Sequence, residues 1–345
     1  MNIGVVTNSL PEDGHKTGGV PVVAHRLAEE YVKLGHEVEV FSFNKPPEGA
    51  QYSWRCIPSK GIFVLLKLPI FELMLVSIWL SFQNMKKYDV VHFHGLDTFF
   101  ISNVPWMRTL HGSCLREKEH TANKLRKIVL MISYWTEKIS ALRANRVLCI
   151  GSDTKEIYGL EDTDLIGNPV NLADFRPGNK TEKPQIFYNG YWNGRKRGKF
   201  IYRVFVDEIL PKFPDANLVM LANECPPHPR VTLVNGVTDS ELQRFYRESW
   251  VFAYPSTYEG FGLAYVEAMA SGTAVVATDN PGVRDVADGC AVIANDSEFG
   301  ESIINILSDE NIRKNLEKLG LNRAKLYESE DIAKEYLSKL KLISR

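Results

Sequence analysis

The sequence predicts an α/β fold of two doubly wound parallel-sheet domains facing a central cleft, and three observations carry the prediction. The chain has 345 residues, long for one hydrophobic core and comfortable for two. Its first stretch reads as strand, helix, strand. Its second half holds five short apolar runs ending in turn formers, most of them separated by helical segments.

In order, "NIGVVTNS" at 2–9 is a strand leading to a loop with Gly18-Gly19. "VPVVAHRLAEEYVKLGHEVEVFSF" at 20–43 follows as an apolar-periodic helix, a Gly35 stop and a second strand. The first loop of such a βαβ unit faces the carboxyl ends of the strands, where doubly wound sheets bind ligands. The apolar run at 61–82 has about the length of a membrane span, but Lys67, Pro69 and Glu72 interrupt it. A short strand and a buried helix starting at Pro69 are expected instead. "YDVVHFHG" (88–95), the stretch before His111, and "NRVLCIGS" (145–152) complete the first domain as buried strands. The Pro/Asn/Gly-rich segment at 167–184 is the expected junction. Beyond it the second domain carries strands in "QIFYNGYW" (185–192), "NLVMLAN" (217–223), "RVTLVNG" (230–236), "WVFAYPS" (250–256) and "TAVVATD" (273–279).

A net charge of −1 gives no field that would draw nucleic acid, so no such partner is expected. Cys56, Cys114, Cys149, Cys225 and Cys290 are scattered, odd in number and lack a CxxC pair. They predict a reduced intracellular protein without a disulfide frame or structural zinc. The opening residues form an apolar strand with no basic leader, so no secretion signal is expected and the location is expected to be cytoplasmic.

The most informative segment is "EGFGLAYVEAMASG" at 259–272, with Glu259 and Glu267 eight positions apart. The pair could be an acid and base, two metal ligands, or one chemical group and one structural residue. Gly260-Phe261-Gly262 makes a tight turn, and "LAYVEAMA" is a helix stopped by Gly272. The amides of Phe261, Gly262 and Leu263 therefore sit at a positive helix end, which suits oxyanions. Upstream, "YNGYWNGRKRGK" (188–199) puts Arg195, Lys196, Arg197 and Lys199 within five residues, either a phosphate site or a solvated basic loop. His92 and His94 share a strand face near Asp97, but no further ligand has a recognised spacing, so no metal is expected. "EDTD" at 161–164 reads as an acidic turn. Between Arg116 and Arg146, eight Lys/Arg face three Glu, a net of +5, interleaved with Ile128, Leu130, Ile132, Trp135 and Ile139. This is either a helix with a solvated basic face or a surface that lies on anionic lipid.

"PSTYEGFGLAYVEAMASGTAVVAT" resembles the Glu-x7-Glu signature of glycosyltransferase family 4, retaining enzymes of the GT-B fold. The early "GGV", "LGHEVEVF", "YDVVHFHG", "TLHGS", "IGNPVNLADFRP" and "VNGVTDSELQRFYRES" agree in the expected order and spread over almost the whole chain. The resemblance implies two Rossmann-like domains: an acceptor-side one at 1–165, completed by a crossover helix at about 329–345, and a nucleotide-sugar-binding one at 166–328. It implies a metal-independent, cofactor-free hexosyltransferase that takes a nucleoside diphosphate sugar, with UDP-hexose expected, to an acceptor hydroxyl of a lipid-linked or cell-envelope glycan. By resemblance Glu267 holds the ribose hydroxyls, and Glu259 and His111 act beside the transferred sugar. Gly18, Gly19, Arg195, Lys196, Arg197, Phe261, Gly262 and Leu263 would contact the rest of the donor. The chain departs from the family pattern where Tyr191, not arginine, follows Gly190, and Arg195 is the expected replacement. Some relatives dock to membranes through the region matching 116–146, so peripheral contact with the cytoplasmic membrane face is expected. Two rivals stand beside this reading. One is a metal-dependent hydrolase on His92, His94, His111 and Asp97; the other is a catalytically idle nucleotide-sugar-binding or membrane adaptor, which the missing arginine would suit.

Overall fold

The computed structural model describes residues 1–12, 18–58, 69–95, 97–121 and 123–345, and only the backbone of 69–74. Elements run β1 (Asn2–Val6), α1 (Gly19–Lys33), β2 (Glu37–Ser42), β3 (Ser53–Cys56), α2 (Pro69–Ser81), β4 (Val90–Phe93), β5 (Trp106–Leu110), α3 (Cys114–Glu119), α4 (Lys124–Arg143), β6 (Arg146–Cys149) and α5 (Ser152–Tyr158). They continue with β7 (Gln185–Asn189), α6 (Gly198–Val204), β8 (Asn217–Leu221), β9 (Val231–Val234), α7 (Asp239–Glu248), β10 (Val251–Tyr254) and α8 (Leu263–Ala270). The last are β11 (Ala274–Thr278), α9 (Pro281–Ala287), β12 (Val292–Ala294), α10 (Phe299–Ser308), α11 (Glu310–Ala324) and α12 (Ser329–Ile343).

The chain divides into two compact units. One holds the described residues of 1–169 together with Ser329–Arg345; the other is built on Val170–Glu328. Each carries a six-stranded sheet, β3-β2-β1-β4-β5-β6 in the first and β12-β11-β10-β7-β8-β9 in the second. All named pairings are parallel. Numbered within its own unit, the second sheet has the same 3-2-1-4-5-6 order as the first. Strand order therefore reverses once per sheet, between β1 and β4 and between β7 and β10. The carboxyl ends of the strands at such a reversal are the usual ligand position in this topology.

Central strands are buried on both faces and are therefore largely apolar: β4, β5, β10 and β11 are buried throughout, with His92, Arg108 and Thr109 as buried polar members of β4 and β5. The first unit packs Val6, Phe41, Val91, Phe93, Phe100 and Trp106 into one cluster. The edge strands β3 and β9 are half-exposed and β12 has three residues. With one neighbour each they carry no long apolar run, so β3 and β12 left no clear trace in the sequence.

α2 starts at Pro69, as the proline suggests; the strand expected just before it falls at 61–68, outside the described residues. Among the described residues no helix is long and apolar enough to cross a membrane. "EDTD" forms a 3-10 turn tied down by Lys155 on Asp162 and by Arg146 on Asp164 at 2.7 Å. α12 packs on α1 and beside β4 within the first unit, with the Tyr336 ring 5.4 Å from that of His92.

Candidate active site

In the second unit, the β7–α6 and β10–α8 loops leave the two strands that flank the reversal, and they meet through Glu259. That residue is 7% exposed. Three donors converge on Oε1: Lys196 Nζ at 2.5 Å, Ser256 Oγ at 2.5 Å and an Arg195 guanidinium N–H at 2.9 Å. Burial alone would raise the Glu259 pKa, but Lys196 and Arg195, with the Lys196 and Ser256 hydrogen bonds, hold it below the usual carboxylate range. Burial conversely lowers the Lys196 pKa, and Glu259 opposes that shift. Lys196 also donates to the Tyr254 hydroxyl, and its ammonium lies 4.5 Å from that ring's centroid. A second Arg195 hydrogen bond reaches the Tyr258 carbonyl at 2.5 Å. One buried carboxylate thus holds two cations, and the cluster keeps a net positive charge.

Local structure explains the convergence. Tyr188, fully buried, donates to the carbonyls of Tyr191 (2.8 Å) and Lys196 (3.1 Å) and so folds the basic loop back over β7. Behind Glu259, Asn280 donates from its amide to Ser256 O (3.0 Å) and Tyr265 Oη (2.9 Å), while Thr278 Oγ1 also donates to Ser256 O (2.8 Å). Gly282 brings α9 against this loop. A Cβ there would lie 2.7 Å from Phe261 O and 2.8 Å from Glu259 Cβ, and its amide donates to Glu259 O at 3.0 Å. Gly262 precedes α8 at φ +91°, in the left-handed region that favours glycine. No side chain caps α8, no acidic residue occupies its first turn, and Leu263 is its first residue. Phe261 is buried edge-on against Tyr327 at 5.4 Å. Glu267 lies buried in the second turn of α8.

Of the cations singled out from the sequence, Arg195 and Lys196 join Glu259 and Arg197 does not. Arg197 adopts φ +61°, pairs with both oxygens of Asp296 (2.7 and 2.5 Å) and stacks on Phe200 at 4.1 Å. Ser256, Thr278, Asn280 and Gly282 were not singled out from the sequence. The available signal was "TDNPGVRD", whose Asn-Pro marks a helix start but says nothing of where its cap side chain points.

In the first unit, Gly18 is the N-cap of α1 and Gly19 its first residue, while 13–17 fall outside the described residues. β4 and β5 bring three histidines together. His94 Nδ1 and the Nε2 of half-buried His111 are 2.7 Å apart, with rings stacked at 5.0 Å and 25°. The His92 and His94 ring centroids are 4.2 Å apart. Both nitrogens of His92 are engaged, Nδ1 with Tyr31 Oη (3.2 Å) and Nε2 with Thr109 Oγ1 (2.8 Å). Asp97 accepts from Arg108 at 2.7 Å and from Ser140 at 2.5 Å. Burial pushes His92 and His111 down to about 3 and His94 well below its usual value, helped by their neighbours and Arg108. Of the ligand set of the hydrolase reading, His92 and Asp97 already have partners, and the described residues contain no group of three that could hold a metal ion. In α4, Leu125, Ile128, Ile132, Trp135, Ile139 and Leu142 are 42–81% exposed and recur at helical spacing, whereas Leu130 turns inward at 8%.

Comparison with known proteins agrees with this architecture. Residues 17–174 match the family model described as Glycosyltransferase Family 4, and residues 213–323 match the one described as Glycosyl transferases group 1. The phosphatidyl-myo-inositol mannosyltransferase of Mycobacterium tuberculosis (strain ATCC 25618 / H37Rv) is 26% identical over 313 residues, 83% of this chain and 80% of its own. The UDP-Gal:alpha-D-GlcNAc-diphosphoundecaprenol alpha-1,3-galactosyltransferase of Escherichia coli is 26% identical over 286 residues, covering 68% and 70% of the two chains. Among solved structures, sucrose-phosphate synthase from Thermosynechococcus elongatus superposes with a TM-score of 0.81 at 20% identity, covering 99% of this chain and 98% of its own. Anabaena HepE in complex with UDP and glucose superposes with a TM-score of 0.76 at 14% identity, covering 98% and 99%. Two doubly wound units and these neighbours define the GT-B class of fold. With both family models matched, the chain belongs to glycosyltransferase family 4.

Proposed function

We propose that the protein is a retaining, metal-independent transferase that moves a hexose from a UDP-sugar to a hydroxyl of a lipid-linked or envelope acceptor. In this reading Val170–Glu328 binds the donor and the first unit receives the acceptor. The observation that carries it is the cluster of Glu259, Arg195 and Lys196 at the reversal of the second sheet. Departure of a diphosphate requires positive charge already in place. Glu259 holds the two cations in position before the donor arrives, and Arg195 occupies the role of the arginine absent after Gly190. The uncapped start of α8 adds the amides of Gly262 and Leu263 to the same task. Glu267 then takes the ribose hydroxyls, and Glu259 and His111 serve the transferred sugar. The sugar–phosphate bond breaks, the acceptor oxygen bonds to the anomeric carbon from the same face, and the hydroxyl proton passes to the departing diphosphate. No metal is needed because the cations carry the charge balance.

A UDP donor is supported by the names of similar proteins, a UDP-galactose enzyme and a structure holding UDP and glucose. A lipid-linked acceptor is supported by relatives named for phosphatidyl-myo-inositol and diphosphoundecaprenol. The exposed apolar stripe of α4, flanked by Lys124, Arg126, Lys127 and Lys138, supports peripheral contact with anionic membrane. The test is a panel of nucleotide sugars, read first by thermal stabilisation and then by acceptor-dependent nucleotide release with and without chelator. A ligand at a hundred times its Kd adds about 2.7 kcal/mol. Activity lost in chelator would overturn metal independence, and nucleotide binding without turnover would favour the adaptor.

A further inference from the structure

We infer that His94 is a positioning residue: it donates its Nδ1–H to His111 Nε2 and so holds His111 in the Nδ1–H tautomer. His111 then meets its substrate as a hydrogen-bond donor through Nδ1. The inference rests on the reading that His111 works at the transferred sugar.

The contact is 2.7 Å between His94 Nδ1 and His111 Nε2, so one proton lies between the two nitrogens. His92 cannot supply it, since Tyr31 and Thr109 occupy both of its ring nitrogens. The deciding atom is His94 Nε2, which is buried with no hydrogen-bond partner among the described residues, on a residue only 5% exposed. A neutral imidazole carries one N–H. If His111 were the donor, the His94 proton would sit on Nε2 as an orphaned buried N–H, a rare and costly state. If His94 donates from Nδ1, Nε2 holds only an unused lone pair, which is tolerated more readily. Burial and the Arg108 charge keep all three rings neutral, so a doubly protonated His94 does not provide an escape. The hydrogen bond that one ring nitrogen makes fixes what the other can do. Among the described residues no other hydrogen bond constrains the His111 ring.

The tautomer is read directly from ring nitrogen shifts in long-range proton–nitrogen spectra of the full chain labelled with 15N-histidine. The wild type should show His111 protonated at Nδ1 and bare at Nε2. His94→Leu should move that proton to Nε2, the form a free neutral side chain favours. His94→Asn, whose amide N–H lies near the Nδ1 position, should restore the wild-type pattern; His94→Gln, which reaches further, should not. Circular-dichroism melting of each variant confirms that it is folded. His111 protonated at Nε2 in the wild type, or a tautomer indifferent to His94→Leu, overturns the inference. So does a ranking of Leu above Asn, the order expected if His94 only fills space. None of these spectra requires a sugar donor, so failure of the proposed function would leave a distinct signature in the nucleotide-sugar panel.

Discussion

Replacing Glu259 with glutamine removes one charge while keeping an acceptor at Oε1. Lys196 at 2.5 Å and Arg195 at 2.9 Å then lose a charge-assisted bond and keep a neutral one, a loss of about 1 kcal/mol each. Arg195 is about a third exposed, so solvent screens its share. The Lys196 side chain is 14% exposed and loses its counter-charge. Breaking a buried pair outright costs roughly 3–5 kcal/mol, and the retained acceptor puts this substitution below that range, at about 2–3 kcal/mol. For a unit of this size each kcal/mol shifts Tm by about 2–4 °C, so calorimetry without ligand should show Glu259→Gln melting about 5–10 °C lower. In the same variant nucleotide release should fall roughly 10²–10³-fold, the loss typical of one preorganised charge. A melting point within about 1 °C of wild type would refute the argument, because the buried ion pair would then be absent in solution.

Four further outcomes are expected. Glu267→Ala should chiefly weaken nucleotide binding by isothermal titration, while Glu259→Ala should chiefly lower turnover; wild-type kinetics in both would remove the assignment. Lys196→Ala should reduce donor affinity more than Arg197→Ala, since Arg197 is held on Asp296; equal losses would place both on the diphosphate. His92, fully buried and pushed by burial from 6.5 to about 3, binds fewer protons folded than unfolded between those values. Stability should therefore fall as pH drops below about 6.5, by about 1.4 kcal/mol per pH unit for this group, and urea titrations of His92→Gln should show a shallower slope than wild type. Trp135→Ser combined with Ile132→Ser should leave Tm within about 2 °C, because both side chains are exposed, yet reduce sedimentation with phosphatidylglycerol-rich vesicles. No preference of the wild type for anionic over neutral vesicles would remove the membrane reading.

Much of the fold was legible because its central strands are buried on both sides and so are largely apolar, and β1, β4, β7 and β10 announce themselves. The limits of α8 were legible too, since Gly262 and Gly272 mark its ends with positive φ. The basic loop and Glu259 were each visible, sixty residues apart, and nothing local links them. Their meeting depends on β7 lying beside β10, a pairing made by strands distant in sequence. For the same reason sequence treated Arg195, Lys196 and Arg197 alike. Only the left-handed backbone at Arg197 turns its side chain to Asp296 while its two predecessors reach Glu259. The histidines divide the same way. Residue type and strand position nominated His92, His94 and His111, but the neighbours of each ring nitrogen, which decide where a proton can sit, exist only once β4, β5 and α1 are packed together.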